Sequence, residues 1–225
     1  MNEGTLYIIV GHYGSGKTEI SVNLARRLRA EGKDVLIGDL DILNPYFRSR
    51  EKAQELEQLG IRVVSSVLGN DSLDDQPSIS EEIYAFFRDD ARERILDVGG
   101  NPEGIRILRG FARTRGLPRR YELLMVVNAN RPSTRTVQQV LHFAKQLEQS
   151  GGAGITGLIN NTHLLRETSA EDVLRGDELV REVSRQMRVP VRFTTYIEEL
   201  SEELKNRPLA GRQMPLYLNM RPEWL

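Results

Sequence analysis

Short apolar runs alternate with spaced apolar stripes along this chain. Leu6-Tyr7-Ile8-Ile9-Val10 is a continuous apolar run of strand length. From Glu19 to Ala30 the spacing changes, and Ile20, Leu24 and Leu28 fall on one face of a helix. Val35-Leu36-Ile37 predicts a second strand that runs out at Asp39-Leu40-Asp41. A helix over Glu51 to Leu59 should stop at Gly60, and Ile61-Arg62-Val63-Val64 reads as a third strand. Ser80 with Glu81 and Glu82 marks the start of a helix reaching Arg88. Arg94 to Val98 is a strand, and Asn101-Pro102 opens the next helix as cap and first-turn proline. The alternation continues with a strand over Tyr121 to Asn128 and a helix over Val137 to Gly151. A strand at Ile155 to Ile159 and a helix from Glu171 to Met187, interrupted by Gly176, come next. Val191 to Ile197 is the last long strand, and Glu198 to Lys205 is a short acidic helix. The tail from Gln213 carries Pro215 and Pro222, so it is not a long amphipathic helix.

Strands alternating with helices predict an α/β fold with a mostly parallel central sheet and helices on both faces, in three layers. Right-handed crossovers would bring the loops after the strands to one edge of that sheet. Gly11–Thr18, Asp39 with Asp41, Asp97–Gly100 and Asn160 are therefore expected to converge.

The convergence matters because of what these loops carry. Gly11-His12-Tyr13-Gly14-Ser15-Gly16-Lys17-Thr18 matches G-x-x-x-x-G-K-[ST], the phosphate-binding P-loop, and lies between a strand and a helix as that loop must. Glycines at 11, 14 and 16 let the backbone wrap a polyphosphate. The helix N-terminus offers N–H groups and partial positive charge, Lys17 can reach the β- and γ-phosphates, and the Thr18 hydroxyl can ligate Mg²⁺. Asp39 and Asp41 are carboxylates at a strand end that could serve a Mg²⁺ ion and a nucleophilic water, or a turn. Asp97-Val98-Gly99-Gly100 delivers another strand-end carboxylate, with Gly100 able to give its N–H to a γ-phosphate.

Asn160-Asn161-Thr162-His163 puts amides at a third strand end, where they could read a base edge or make a turn. The guanine-specific N-K-x-D pattern is absent, because Asn161 and His163 stand in the Lys and Asp positions. Tyr46 and Phe47, after Pro45, suit either a contact surface or helix packing. Arg106, Arg109 and Arg113 share a helix face that could dock an acidic partner or a nucleic-acid backbone, or simply face solvent.

Composition narrows the classes. The length of 225 residues without a long polar linker predicts one domain over residues 1–225. A net charge of −1 supplies no whole-chain attraction to nucleic acid or membrane. Only five of the 31 basic residues are lysines, so Lys17 is one of few. With no cysteine there are no disulfides, thiolate metal sites or cysteine nucleophiles. The polar start and the absence of a long apolar segment predict a cytoplasmic protein without a membrane span.

With these stretches quoted, the chain resembles the MinD/ParA/CobQ-CobB group of P-loop ATPases, in the SIMIBI class. Within it the chain looks most similar to little-characterised cytosolic ATP-binding proteins that carry G-H-Y-G-S-G-K-T-E and D-L-D-x-x-N-P-Y-F-R-S-R-E motifs. The resemblance covers essentially the whole chain and is densest in residues 6–50 and 94–104. It implies ATP and Mg²⁺ as ligands, slow hydrolysis, a nucleotide-controlled switch, and a protein partner. By motif position Lys17 and Asp41 are catalytic, with Asp41 positioning the water. Gly11, Tyr13, Gly14, Ser15, Gly16, Lys17, Thr18, Glu19, Gly100 and Asn160 bind nucleotide, with Gly100 as γ-phosphate sensor and Asn160 reading adenine. Thr18, Asp39 and Asp97 hold the metal.

Many members place a lysine directly after the first loop glycine and form a homodimer around nucleotide. Here that position is His12, which carries less charge near neutral pH. Other readings are a small-molecule kinase or ATP-dependent ligase, with Tyr46, Arg48 and Arg50 on an acidic substrate. A non-enzymatic docking module using the Arg106–Arg120 face is a third.

Overall fold

The computed structural model describes residues 3–40, 53–65, 81–114 and 116–218. The expected water-positioning Asp41, the Asn44–Arg50 stretch and the Gly69–Ser80 loop lie outside the described residues. The elements are β1 (Leu6–Gly11), α1 (Lys17–Ala30), β2 (Val35–Leu40), α2 (Ala53–Gln58), β3 (Ile61–Ser65), α3 (Glu81–Arg88), β4 (Glu93–Val98) and α4 (Pro102–Thr114). They continue with β5 (Tyr121–Val127), α5 (Val137–Gly151), β6 (Gly157–Asn160), α6 (Ala170–Met187), β7 (Val191–Ile197), α7 (Ser201–Leu204) and β8 (Arg212–Leu216).

All the strand pairs are parallel, in one sheet of order β3-β2-β4-β1-β5-β6-β7-β8. This is the α/β architecture the alternation predicts. Parallel strands end at the same edge, so every loop that follows a strand emerges there.

Buried apolar residues of both sheet faces hold the layers together. On one face Ile9, Ile37, Ile95, Leu124, Val126 and Ile159 pack under Ile20, Leu24 and Leu28 of α1. On the other, Ile8, Val10, Leu96, Met125 and Leu158 pack under Phe86, Leu108, Phe143 and Val180 of α3 to α6. The strands are apolar on both sides, as burial on both faces requires. A smaller cluster joins Val173 of α6, Tyr196 of β7 and Leu204 of α7.

β8 is a strand the sequence pattern does not announce. Pro215 sits opposite Tyr196 in it. A proline breaks a central ladder but is tolerated on an edge strand, and β8 ends the strand order.

Connections from the neighbouring strands β1 and β4 leave on opposite sides of the sheet. The chain leaves β1 for α1 on one face, and leaves β4 for α4 on the other. A crevice opens at such a divide, beyond the carboxyl ends of the strands.

Candidate nucleotide site

The loop from Gly11 to Lys17 occupies that crevice, and α1 begins without a cap. Its first flanking residue, Gly16, has φ +89°, and no side chain caps the helix. By contrast α5 and α6 each open with a capping box, Thr136 with Gln139 and Ser169 with Asp172. An uncapped N-terminus leaves N–H groups and the positive end of the helix dipole turned toward the loop, the arrangement that binds phosphate. Gly16 is needed for its conformation and for space: a Cβ there would stand 2.3 Å from Asn161 Nδ2.

Lys17 is buried, and its Nζ donates to the His12 carbonyl at 3.4 Å. Gly100 meets it from the β4 side. A Cβ on Gly100 would lie 2.8 Å from Lys17 Nζ, 3.0 Å from Tyr13 N and 3.2 Å from Gly11 O. A side chain at 100 would therefore displace the lysine head or the loop.

Asp39 and Asp97 face each other across β2 and β4, and Asp97 pairs with Ile9 of β1. Both follow by two residues a side chain of the α1-side core, Ile37 and Ile95, so both point to the face where Lys17 and Thr18 begin. They are 4% and 1% exposed. Two buried carboxylates in register repel unless cations or donors lie between them. Carboxylate and hydroxyl oxygens are the donor set a hard divalent ion prefers, so Asp39, Asp97 and Thr18 fit Mg²⁺.

The two asparagines that end β6 diverge. Asn160 pairs with Val127 and follows Leu158, which puts it on the face covered by α6. It is fully buried; its amide donates to Val173 O at 3.1 Å and its oxygen accepts from Thr162 Oγ1 at 2.8 Å. Asn161 takes the opposite face. Its Nδ2 donates to Ser15 O at 2.7 Å, while its Oδ1 accepts from Thr195 Oγ1 at 2.7 Å. The neighbour of the expected residue thus touches the phosphate loop. β6 starts two residues and ends one residue later than the pattern suggested, and neighbouring residues at its end point to opposite faces.

Glu19 lies in the first turn of α1, where its backbone carbonyl accepts from Asn23 Nδ2 at 2.8 Å. Tyr13 is 62% exposed, whereas Ser15 is fully buried. The His12 ring packs edge-on against Phe143, with centroids 5.4 Å apart. Sequence reasoning did not single out Arg131, whose Nε donates to Gly14 O at 3.0 Å.

A second network holds the loops after β5 and β6 together. Asn128 Oδ1 accepts from Asn130 N at 2.9 Å, and Ala129 N donates to Thr162 Oγ1 at 3.1 Å. Asn130 also bonds to Arg175 and Asp172 at the start of α6. Burial opposes the charge on Asp172. The backbone N–H and hydroxyl of Ser169, with Arg175 and Asn130, outweigh it and hold the carboxyl below its usual range.

The family model for the CobQ/CobB/MinD/ParA nucleotide-binding domain matches residues 7–216. The chain belongs to this family. It is thus a nucleotide-binding P-loop domain, and the match includes every loop described above. No curated protein sequence matches it.

Solved structures with a similar fold include the signal recognition particle receptor FtsY from Elizabethkingia anophelis in complex with GDP. That match has TM-score 0.55 and 22% identity, and covers 87% of this chain and 58% of that one. The cell division protein FtsY from Thermotoga maritima matches with TM-score 0.58 and 20% identity, covering 88% and 65%. Chloroplast FtsY from Physcomitrella patens gives 0.56 and 20%, covering 86% and 59%. The chain spans less than two thirds of these proteins, and at such identity the likeness is one of fold.

Proposed function

We propose that the protein is a Mg²⁺-dependent ATPase that works as a nucleotide-controlled switch for a protein partner. One observation carries this reading: Lys17, at an uncapped helix start, lies against the Gly100 backbone. A γ-phosphate drawn in by Lys17 would also meet the residue that leads into α4. Binding and loss of that phosphate would then be felt by a helix on the opposite face of the sheet.

In this reading the N–H groups of Gly11–Thr18, including those of Tyr13, Gly14, Ser15 and Gly16, cradle the phosphates, with Lys17 on the β- and γ-groups. Thr18, Asp39 and Asp97 hold Mg²⁺, which when bound would supply charge neutralisation at the phosphate oxygens. Asp41 orients a water whose oxygen attacks the γ-phosphorus. The bond from that phosphorus to the bridging oxygen breaks, ADP leaves, and the proton of the water passes to phosphate or solvent. Lys17 and the loop amides stabilise the charge that builds up, the main source of catalysis in phosphoryl transfer. Base reading falls to the amide-bearing end of β6, where Asn161 lies against the phosphate loop and Asn160 is turned toward α6. An amide that donates and accepts suits adenine, and the Lys–Asp pair of a guanine site is missing from the sequence.

Steady-state phosphate release from ATP and from GTP, with and without Mg²⁺, tests this. Slow, Mg²⁺-dependent release from ATP in preference to GTP is expected, and Asp41→Asn should lose turnover while keeping ATP binding. Equal or faster use of GTP would contradict the base assignment. Undiminished turnover in Asp41→Asn would contradict the role of that residue.

A further inference from the structure

Arg131 follows β5, and its backbone is fixed in a tight turn. Arg131 N donates to Asn128 O at 3.0 Å, and Thr134 N donates back to Arg131 O at 3.0 Å. The side chain of this half-buried residue crosses to the phosphate loop, where Nε meets Gly14 O. Its guanidinium lies over Gly14. A Cβ at that position would stand 3.0 Å from Cζ and from Nη2 and 3.2 Å from Nε. Gly14 also has φ +70°, so backbone and neighbour both exclude a side chain there.

The carbonyl of Gly14 uses one of five guanidinium N–H donors. Among the described residues Arg131 forms no ion pair. Fully buried Arg94, by contrast, is paired with Asp90 at 3.0 Å, and even the exposed Arg175 and Arg181 are paired, with Asp172 and with Asp177, each at 2.6 Å. A half-buried cation with no counter-ion among the described residues, held against a polyphosphate-binding loop, is set to receive an anion. The flat fork of a guanidinium matches phosphate oxygens.

We infer that Arg131 is a phosphate-binding residue. Its Nη groups bind the phosphate chain of a nucleoside di- or triphosphate while Nε keeps hold of Gly14. The site thus receives a cation from β5 in addition to Lys17 from α1. This inference rests on the nucleotide-binding reading of the site.

Dissociation constants for ATP, ADP and AMP with Mg²⁺, over a salt series, test it in wild type, Arg131→Gln and Arg131→Lys. Gln keeps an amide N–H for Gly14 O but removes the charge. Arg131→Gln should bind ATP and ADP about tenfold or more weakly, the scale of one charged hydrogen bond, and show a shallower salt dependence. AMP should be much less affected, and Arg131→Lys should fall between Gln and wild type. Apo melting temperatures of Arg131→Gln and wild type should agree. If Arg131→Gln binds ATP within about twofold of wild type, Arg131 is only a brace and the inference fails by itself. A folded wild type that binds no nucleotide overturns the underlying reading as well.

Discussion

Single residues divide the labour at the end of β6. Asn161 holds the phosphate loop at Ser15 O, and Asn160 holds α6 at Val173 O. Asn161→Ala would leave a buried carbonyl without its donor, at a cost of about 1–3 kcal/mol. Nucleotide titration of this variant should show affinity reduced by roughly tenfold, with a modest fall in apo stability. Asn160→Ala should do the reverse, lowering the denaturation midpoint with little change in affinity at temperatures where it stays folded. Equal effects from both would mean the two faces are not separate in function.

Asp172 supplies a pH-dependent contribution. Its folded carboxyl is held below the unfolded value of about 3.9. Its stabilisation is therefore present above that value and lost as pH falls through the lower folded value. Urea midpoints measured down to pH 2.5 or so should drop less steeply in Asp172→Asn than in wild type below about pH 4.

At the scale of elements, α6 is fitted against the end of β6 by an interior glycine that a helix would otherwise avoid. A Cβ on Gly176 would lie 2.0 Å from Thr162 Oγ1 and 2.5 Å from Asn160 Oδ1. Gly176→Ala gains about 1 kcal/mol of helix propensity but forces α6 off the sheet, and the clash should win by about 1–3 kcal/mol. Gly110 in α4 is the control, because a Cβ there meets nothing within 4 Å. Gly110→Ala should raise thermal stability by up to about 1 kcal/mol. Thermal melts of the two variants should shift in opposite directions.

Elements with strong periodicity were legible from the chain alone. The bounds of α3, α5 and β7 coincide with those the pattern predicts, and the phosphate loop joins β1 to α1. Legibility failed where a tertiary circumstance overrode a local signal. Pro215 hides β8, because only its place at the sheet edge makes a proline acceptable. The faces of Asn160 and Asn161 depend on register, which the β-branched Ile155-Thr156 before β6 obscured. Arg131 is one arginine among many in the sequence, and only its meeting with Gly14, 117 residues away, distinguishes it.

Across the whole molecule, topology turns dispersed residues into one site. The P-loop, Asp97 to Gly100 and Asn161 come from β1, β4 and β6, and a common parallel direction puts their ends at the same edge. The crevice between β1 and β4 forms because α1 and α4 lie on opposite faces. In the proposed reading, a phosphate bound there would have direct routes to both layers of helices. Arg106, Arg109 and Arg113 of α4 are exposed, so a partner on that face would meet the helix that Gly100 leads into.

Calorimetric titration of ATP with Mg²⁺ into wild type and Lys17→Ala tests the central claim most directly. Saturable binding to wild type, weakened by about tenfold or more in Lys17→Ala, is the expected result. Folded wild type that takes up no heat-detectable nucleotide, or a Lys17→Ala variant that binds as tightly, would contradict it.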